Sequence, residues 1–87
     1  MKVLIFYRPN SEHSRVVEEY VHDFSKQYPD LDLSLVDVDS RDGVFKSETY
    51  SVMSYPAMIA IADDGSTIQR WDNGQMPLKS ELAYYAQ

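Results

Sequence analysis

No cysteine occurs among the 87 residues of the chain. That absence removes disulfides, zinc–thiolate centres, iron–sulfur clusters and any thiol nucleophile, and it leaves the redox compartment open. Glycine and proline are scarce, at three and four positions, and no linker or low-complexity stretch is built from them. Cations are sparse too. Eight Lys and Arg stand against fourteen Asp and Glu, giving a formal charge of −6. Arg8, Arg15, Lys26, Arg41, Lys46, Arg70 and Lys79 are scattered rather than clustered, which argues against nucleic acid or an anionic membrane as the partner. Near the N-terminus the apolar run Val3-Leu4-Ile5-Phe6-Tyr7 is too short for a signal-peptide core or a membrane span. The expectation is a soluble, cytoplasmic monomer.

What is present suffices for a folded core. Apolar residues make up 44% and aromatics 13%, enough for one small domain over residues 1–87. The run Val3 to Tyr7 has the pattern of a strand buried on both faces, and Pro9 ends it. From Glu12 the apolar residues change to helical spacing: Val16, Val17, Tyr20, Val21 and Phe24, a stripe assigned to the core. The spacing predicts a helix over 11–28, capped by Asn10 or Ser11, with Glu12 at its positive end and Pro29 beyond it.

A second strand is predicted over 31–38. Its apolar phase slips once between Leu35 and Val36, which means either burial on both faces or a bulge. Strand, helix and strand of these lengths make a right-handed unit with parallel strands. Ser40 or Asp42 then opens a helix over 41–50, with Val44 and Phe45 directed inward. A strand over 57–62 turns at Asp63-Asp64-Gly65-Ser66 into another over 67–72, and Asn73-Gly74 is a further turn. Pro77 starts the last helix, with Leu78, Leu82 and Tyr85 on one face. No repeat or linker interrupts this order.

Metal chemistry finds little support. Glu18 and His22 lie four apart on one helix face, but two ligands without a third are solvated surface. Asp37, Asp39 and Asp42 lack the glycine and closing glutamate of a calcium loop, so they are assigned to a strand end. No metal and no cofactor is expected.

The segment Arg8-Pro9-Asn10-Ser11-Glu12-His13-Ser14, between a strand and a helix, resembles the active-site segment of the thioredoxin and glutaredoxin superfamily, with serine at both cysteine positions. A second resemblance lies at Ser54-Tyr55-Pro56 before a strand, similar to the segment that carries the superfamily's cis-proline. The order βαβαββα is similar to a glutaredoxin-sized thioredoxin-like fold: α/β, with a mixed four-stranded sheet and helices on both faces. The resemblance implies a thiolate at the first of the two positions. Ser11 and Ser14 provide none, so thiol–disulfide exchange is not available to this chain.

What the resemblance leaves is a binding surface. In the superfamily an extended peptide or glutathione lies beside the cis-proline and pairs with the backbone of the preceding residue. The matching positions here are Tyr55 and Pro56, flanked by Arg8, Ser11, Glu12, His13 and Asn73, with Tyr7 and Trp71 as candidate aromatic neighbours. Tyr55 is bulky where valine or isoleucine is usual in the superfamily, and Asn73-Gly74-Gln75 stands where the resemblance implies a glycine pair followed by an acidic residue. These departures argue against glutathione and for an extended peptide or protein segment. Three readings follow: a redox-inactive binding module, an oxidoreductase whose two cysteines were deliberately replaced by serine, and a serine hydrolase using Ser11 with His13. The third is disfavoured, because residues two apart at a helix start diverge and no nucleophile elbow is present.

Overall fold

The structure is a computed structural model that describes residues 1–85. Strand β1 (Lys2–Tyr7) is followed by α1 (Ser14–Gln27), β2 (Asp32–Asp37), α2 (Arg41–Thr49), β3 (Ala57–Ile61), β4 (Thr67–Trp71) and α3 (Lys79–Tyr85). The strands form one sheet in the order β2-β1-β3-β4. β1 pairs in parallel with β2, Val3 opposite Leu33, and antiparallel with β3, Phe6 opposite Ala57. β4 closes the far edge antiparallel to β3, with a register shift at Ala60/Ile61.

β1 is central, and that accounts for its unbroken apolar run. Val3, Ile5 and Tyr7 enter one core with Val17, Phe24 and Leu82 from α1 and α3. Leu4 and Phe6 point to the other face and join Val36, Val38, Ile59 and Ile61. The phase slip in β2 has the same origin. Leu31 and Leu33 pack on the first face while Val36 and Val38 lie on the second, and the β1–β2 register runs without a shift. No bulge is needed.

Several expectations about which side chains face inward are corrected. Val16 is exposed, because the buried line of α1 runs through Val17 and Phe24, with Tyr20 and Val21 beside it. Val44 and Phe45 are also exposed, the latter 68% so, and α2 turns Gly43 and Ser47 toward the sheet instead. A Cβ on Gly43 would sit 1.7 Å from the Asp37 carbonyl oxygen. The helix backbone therefore lies directly against the end of β2, closer than any side chain permits. Once Gly43 sets the inward azimuth, its neighbours Val44 and Phe45 are rotated away by about 100° and 200°.

The ends of the elements also differ in detail. α1 begins at Ser14, not at residue 11, and its N-cap, His13, makes no side-chain cap bond. Asn10 takes a left-handed backbone, φ 63°, and so turns the loop rather than capping the helix. α3 begins at Lys79, two residues after the buried Pro77; Leu78 is exposed and Leu82 is its buried anchor. Ser40 caps α2 as expected, its Oγ accepting from the Gly43 N–H at 2.9 Å.

Candidate functional site

Three loops meet at one end of the sheet: the β1–α1 loop, the segment from α2 into β3, and the turn after β4. The first is held by its own backbone. Ser11 Oγ donates to the Arg8 carbonyl at 2.5 Å, and the Arg8 N–H donates to His13 Nε2 at 3.1 Å. Ser14 Oγ donates to the Ser11 carbonyl at 2.9 Å. Both polar side chains of a would-be serine–histidine pair are thus tied to Arg8. His13 Nε2 already accepts a proton-bearing nitrogen, and Ser11 spends its own proton on a carbonyl. No base–nucleophile contact is built.

Ser11 lies ahead of the first helical residue, so the expectation of a side chain set on the helix N-terminus is corrected for it. Glu12 is exposed and outside the first turn, which carries no acidic residue. Ser14 is the residue that begins the helix.

Arg8 reaches across to the second loop. Its Cζ lies 5.7 Å from the centroid of the Tyr55 ring. Its Nε is 3.2 Å from Asp39 Oδ2, with both side chains roughly half exposed. A cation over an aromatic face at this exposure is worth about 0.5–1 kcal/mol. Arg8 is therefore in contact with both Asp39 and Tyr55. The Tyr55–Pro56 peptide bond is cis, Pro56 is buried and Tyr55 half-buried. Among the described residues the Tyr55 backbone makes no turn or loop hydrogen bond.

The third loop closes in behind Tyr55. Gly74 takes a left-handed backbone, φ 84°, and a Cβ there would lie 3.9 Å from the Tyr55 carbonyl oxygen. Asn73 is exposed, and its Oδ1 accepts from the Gln75 N–H at 3.3 Å. Arg8, Ser11, His13, Tyr55 and Pro56 are thus brought together, with Asn73 and Gly74 alongside and Glu12 on the rim.

Tyr7 and Trp71 do not belong to this surface. Tyr7 is in the core, where burial first, and then Glu18 and Asp37, push its hydroxyl above the ordinary tyrosine range. Trp71 faces α3: its Nε1 donates to Glu81 Oε1 at 2.9 Å and its ring meets Tyr85 edge-on.

Two contributors escaped the sequence reading. Asp39, assigned to a strand end, is the ion-pair partner of Arg8. Arg70, counted only as a scattered cation, donates from Nη1 to the Tyr50 carbonyl at 2.7 Å and from Nε to Asp72 Oδ2 at 3.0 Å. It fastens the end of α2, where Ser51 is left-handed at φ 54°, to the strand that leads into the Asn73 turn. Neither the Arg8–Asp39 nor the Arg70–Tyr50 pairing has a local sequence signal, because each joins residues far apart in the chain.

No protein-family model and no curated protein sequence matches the chain. Solved structures do. Thioredoxin O2 from Arabidopsis thaliana superposes with a TM-score of 0.74 at 17% identity, over 95% of this chain and 69% of that one. Thioredoxin 1 from Thermosipho africanus gives 0.73 at 17%, over 99% and 90%. A malaria-parasite thioredoxin-2 gives 0.77 at 20%, over 97% and 78%. At such identities the likeness is one of fold, and the fold is thioredoxin-like.

Proposed function

We propose that this thioredoxin-like chain binds an extended peptide or protein segment beside Pro56 and performs no redox chemistry. The observation that carries the reading is the Tyr55 backbone, without a hydrogen bond among the described residues, at the meeting point of three loops. An extended segment laid there gains main-chain hydrogen bonds, as in other strand-addition complexes, and the neighbouring side chains select its sequence. Tyr55 offers an aromatic face already oriented by Arg8, and the β1–α1 loop, stiffened by its own hydrogen bonds, needs little ordering on binding. The lack of any cysteine removes thiol chemistry from this end of the sheet.

The test is a peptide selected from a random phage library and titrated into labelled protein by NMR. The expected perturbations fall on Arg8, Ser11, His13, Tyr55 and Asn73. N-methylation of the peptide nitrogen facing Tyr55 is expected to weaken binding about tenfold, the loss of one hydrogen bond with a buried partner left unsatisfied. Glutathione is expected to leave these signals in place. Selected peptides whose perturbations map elsewhere would remove the reading.

A further inference from the structure

α2 is built against the usual amphipathic order. Its small residues, Gly43 and Ser47, face the sheet, and its large apolar ones face outward. Phe45 is 68% exposed on a helix whose inward face already has its contacts. Beside it lies an open groove of about 320 Å³, floored by Leu4 and Ile61 of the sheet and walled by Phe45 and Tyr50.

The layers explain why the groove exists. Four strands about 4.8 Å apart make a sheet roughly 15–20 Å wide, and packed helices sit about 8–10 Å apart. Each face therefore has room for two helices. One face carries α1 and α3; the other carries α2 alone among the described residues. The second helix position on this face is open beside α2.

Its charge is distinct from the rest of the molecule. Lys2 and Lys46 line the groove against the single anion Asp42, which pairs with Lys46 Nζ at 3.4 Å. Lys2 makes no ion pair among the described residues. The chain as a whole carries −6, but at physiological salt charges farther than about 8 Å are screened. The local lysines, not the net charge, meet whatever lies in the groove.

We infer that this groove is a docking site for an acidic amphipathic helix of a partner protein, its apolar side against Phe45, Tyr50, Leu4 and Ile61 and its carboxylates toward Lys2 and Lys46. A basic helix would bring like charges together. A second copy of this chain would bring another cationic groove to this one.

Two synthetic helices test the inference. They share a leucine stripe and carry either glutamate or lysine on its flanks. Titrated into labelled protein, the glutamate helix is expected to shift signals of Phe45, Thr49 and Ile61 and to bind at least about tenfold more tightly than the lysine helix. Phe45→Asp should abolish binding without changing the far-ultraviolet circular dichroism, since the side chain is outside the core. The double change Lys2→Glu, Lys46→Glu should invert the preference between helices. The inference is overturned if the lysine helix binds as well, if neither helix binds at millimolar concentration, or if the shifts centre on Tyr55 and Ser11. It is overturned equally if sedimentation shows copies associating through Phe45.

Discussion

At the scale of single residues, Ser11 and Ser14 illustrate how position and environment separate. Their segment resembles a familiar two-cysteine motif, yet only Ser14 lies in α1, and Ser11 is bound to the Arg8 carbonyl. A thiol at position 11 would gain little from the helix N-terminus, whose field fades within a turn. The double substitution Ser11→Cys, Ser14→Cys is therefore expected to give a position-11 thiol that alkylates with an ordinary midpoint, about 8.5, and to reduce insulin no faster than free dithiol. Rates of iodoacetamide modification against pH would decide the point. A strongly lowered midpoint with rapid insulin reduction would mean that the site is wired for electron transfer and that the serines replaced working cysteines. The same residue scale explains what the sequence hid. The Ser-x-x-Ser spacing and the proline were visible as local patterns, whereas the Arg8–Asp39 and Arg70–Tyr50 pairings depend on which loops the sheet brings together.

At the scale of elements, α2 is the instructive case. Apolar residues are ordinarily assigned inward, and that assignment fails for Val44 and Phe45 because a steric requirement outranks it. Gly43 must face the end of β2, since no other residue fits 1.7 Å from a carbonyl oxygen. A glycine inside a helical pattern was the signal available, as such glycines often mark close approach. Gly43→Ala is expected to cost about 3 kcal/mol, near the upper end for overpacking, measured as the shift in urea midpoint. Gly65→Ala makes the contrast: its φ of 89° is strained for alanine, but nothing lies within 4 Å. Its cost should stay at about 1–2 kcal/mol, the left-handed penalty alone. Equal losses at the two sites would mean that contact with β2 does not position α2. The remaining elements were legible because their patterns serve burial directly: β1 through its continuous run, α1 through Val17 and Phe24, and the β3–β4 turn through Asp64-Gly65.

At the scale of the whole molecule, the two faces of the sheet are unequally finished, and the seam between α1 and α3 carries a hidden liability. Tyr20 Oη is buried there without a hydrogen-bond partner among the described residues. Burial chiefly, with Glu81 adding repulsion, pushes its hydroxyl up to about 12 from 10.0. Below pH 10 folded and unfolded chains both keep this proton, and the stability it contributes is complete. Between about 10 and 12 the unfolded chain releases it first, so stability falls as pH rises through that window. Tyr20→Phe is expected to flatten this alkaline decline and, by removing an unsatisfied hydroxyl, to raise stability at neutral pH by about 1 kcal/mol. Urea melts at a series of pH values would measure both. An unchanged alkaline slope would place the titrating group elsewhere, with Tyr7, raised by its own burial, the next to test.

The central place of β1 has a consequence for the chain as it leaves the ribosome. Its two neighbours come later in sequence, and Phe6 cannot meet Ala57 until synthesis has passed residue 57. Until β2 follows, Val3 to Tyr7 has both edges unpaired, and until β3 follows one edge stays open. The segment is apolar with no charge within it, the composition that favours intermolecular stacking. The strand that makes the finished sheet secure is thus the segment a nascent chain most needs shielded by chaperones.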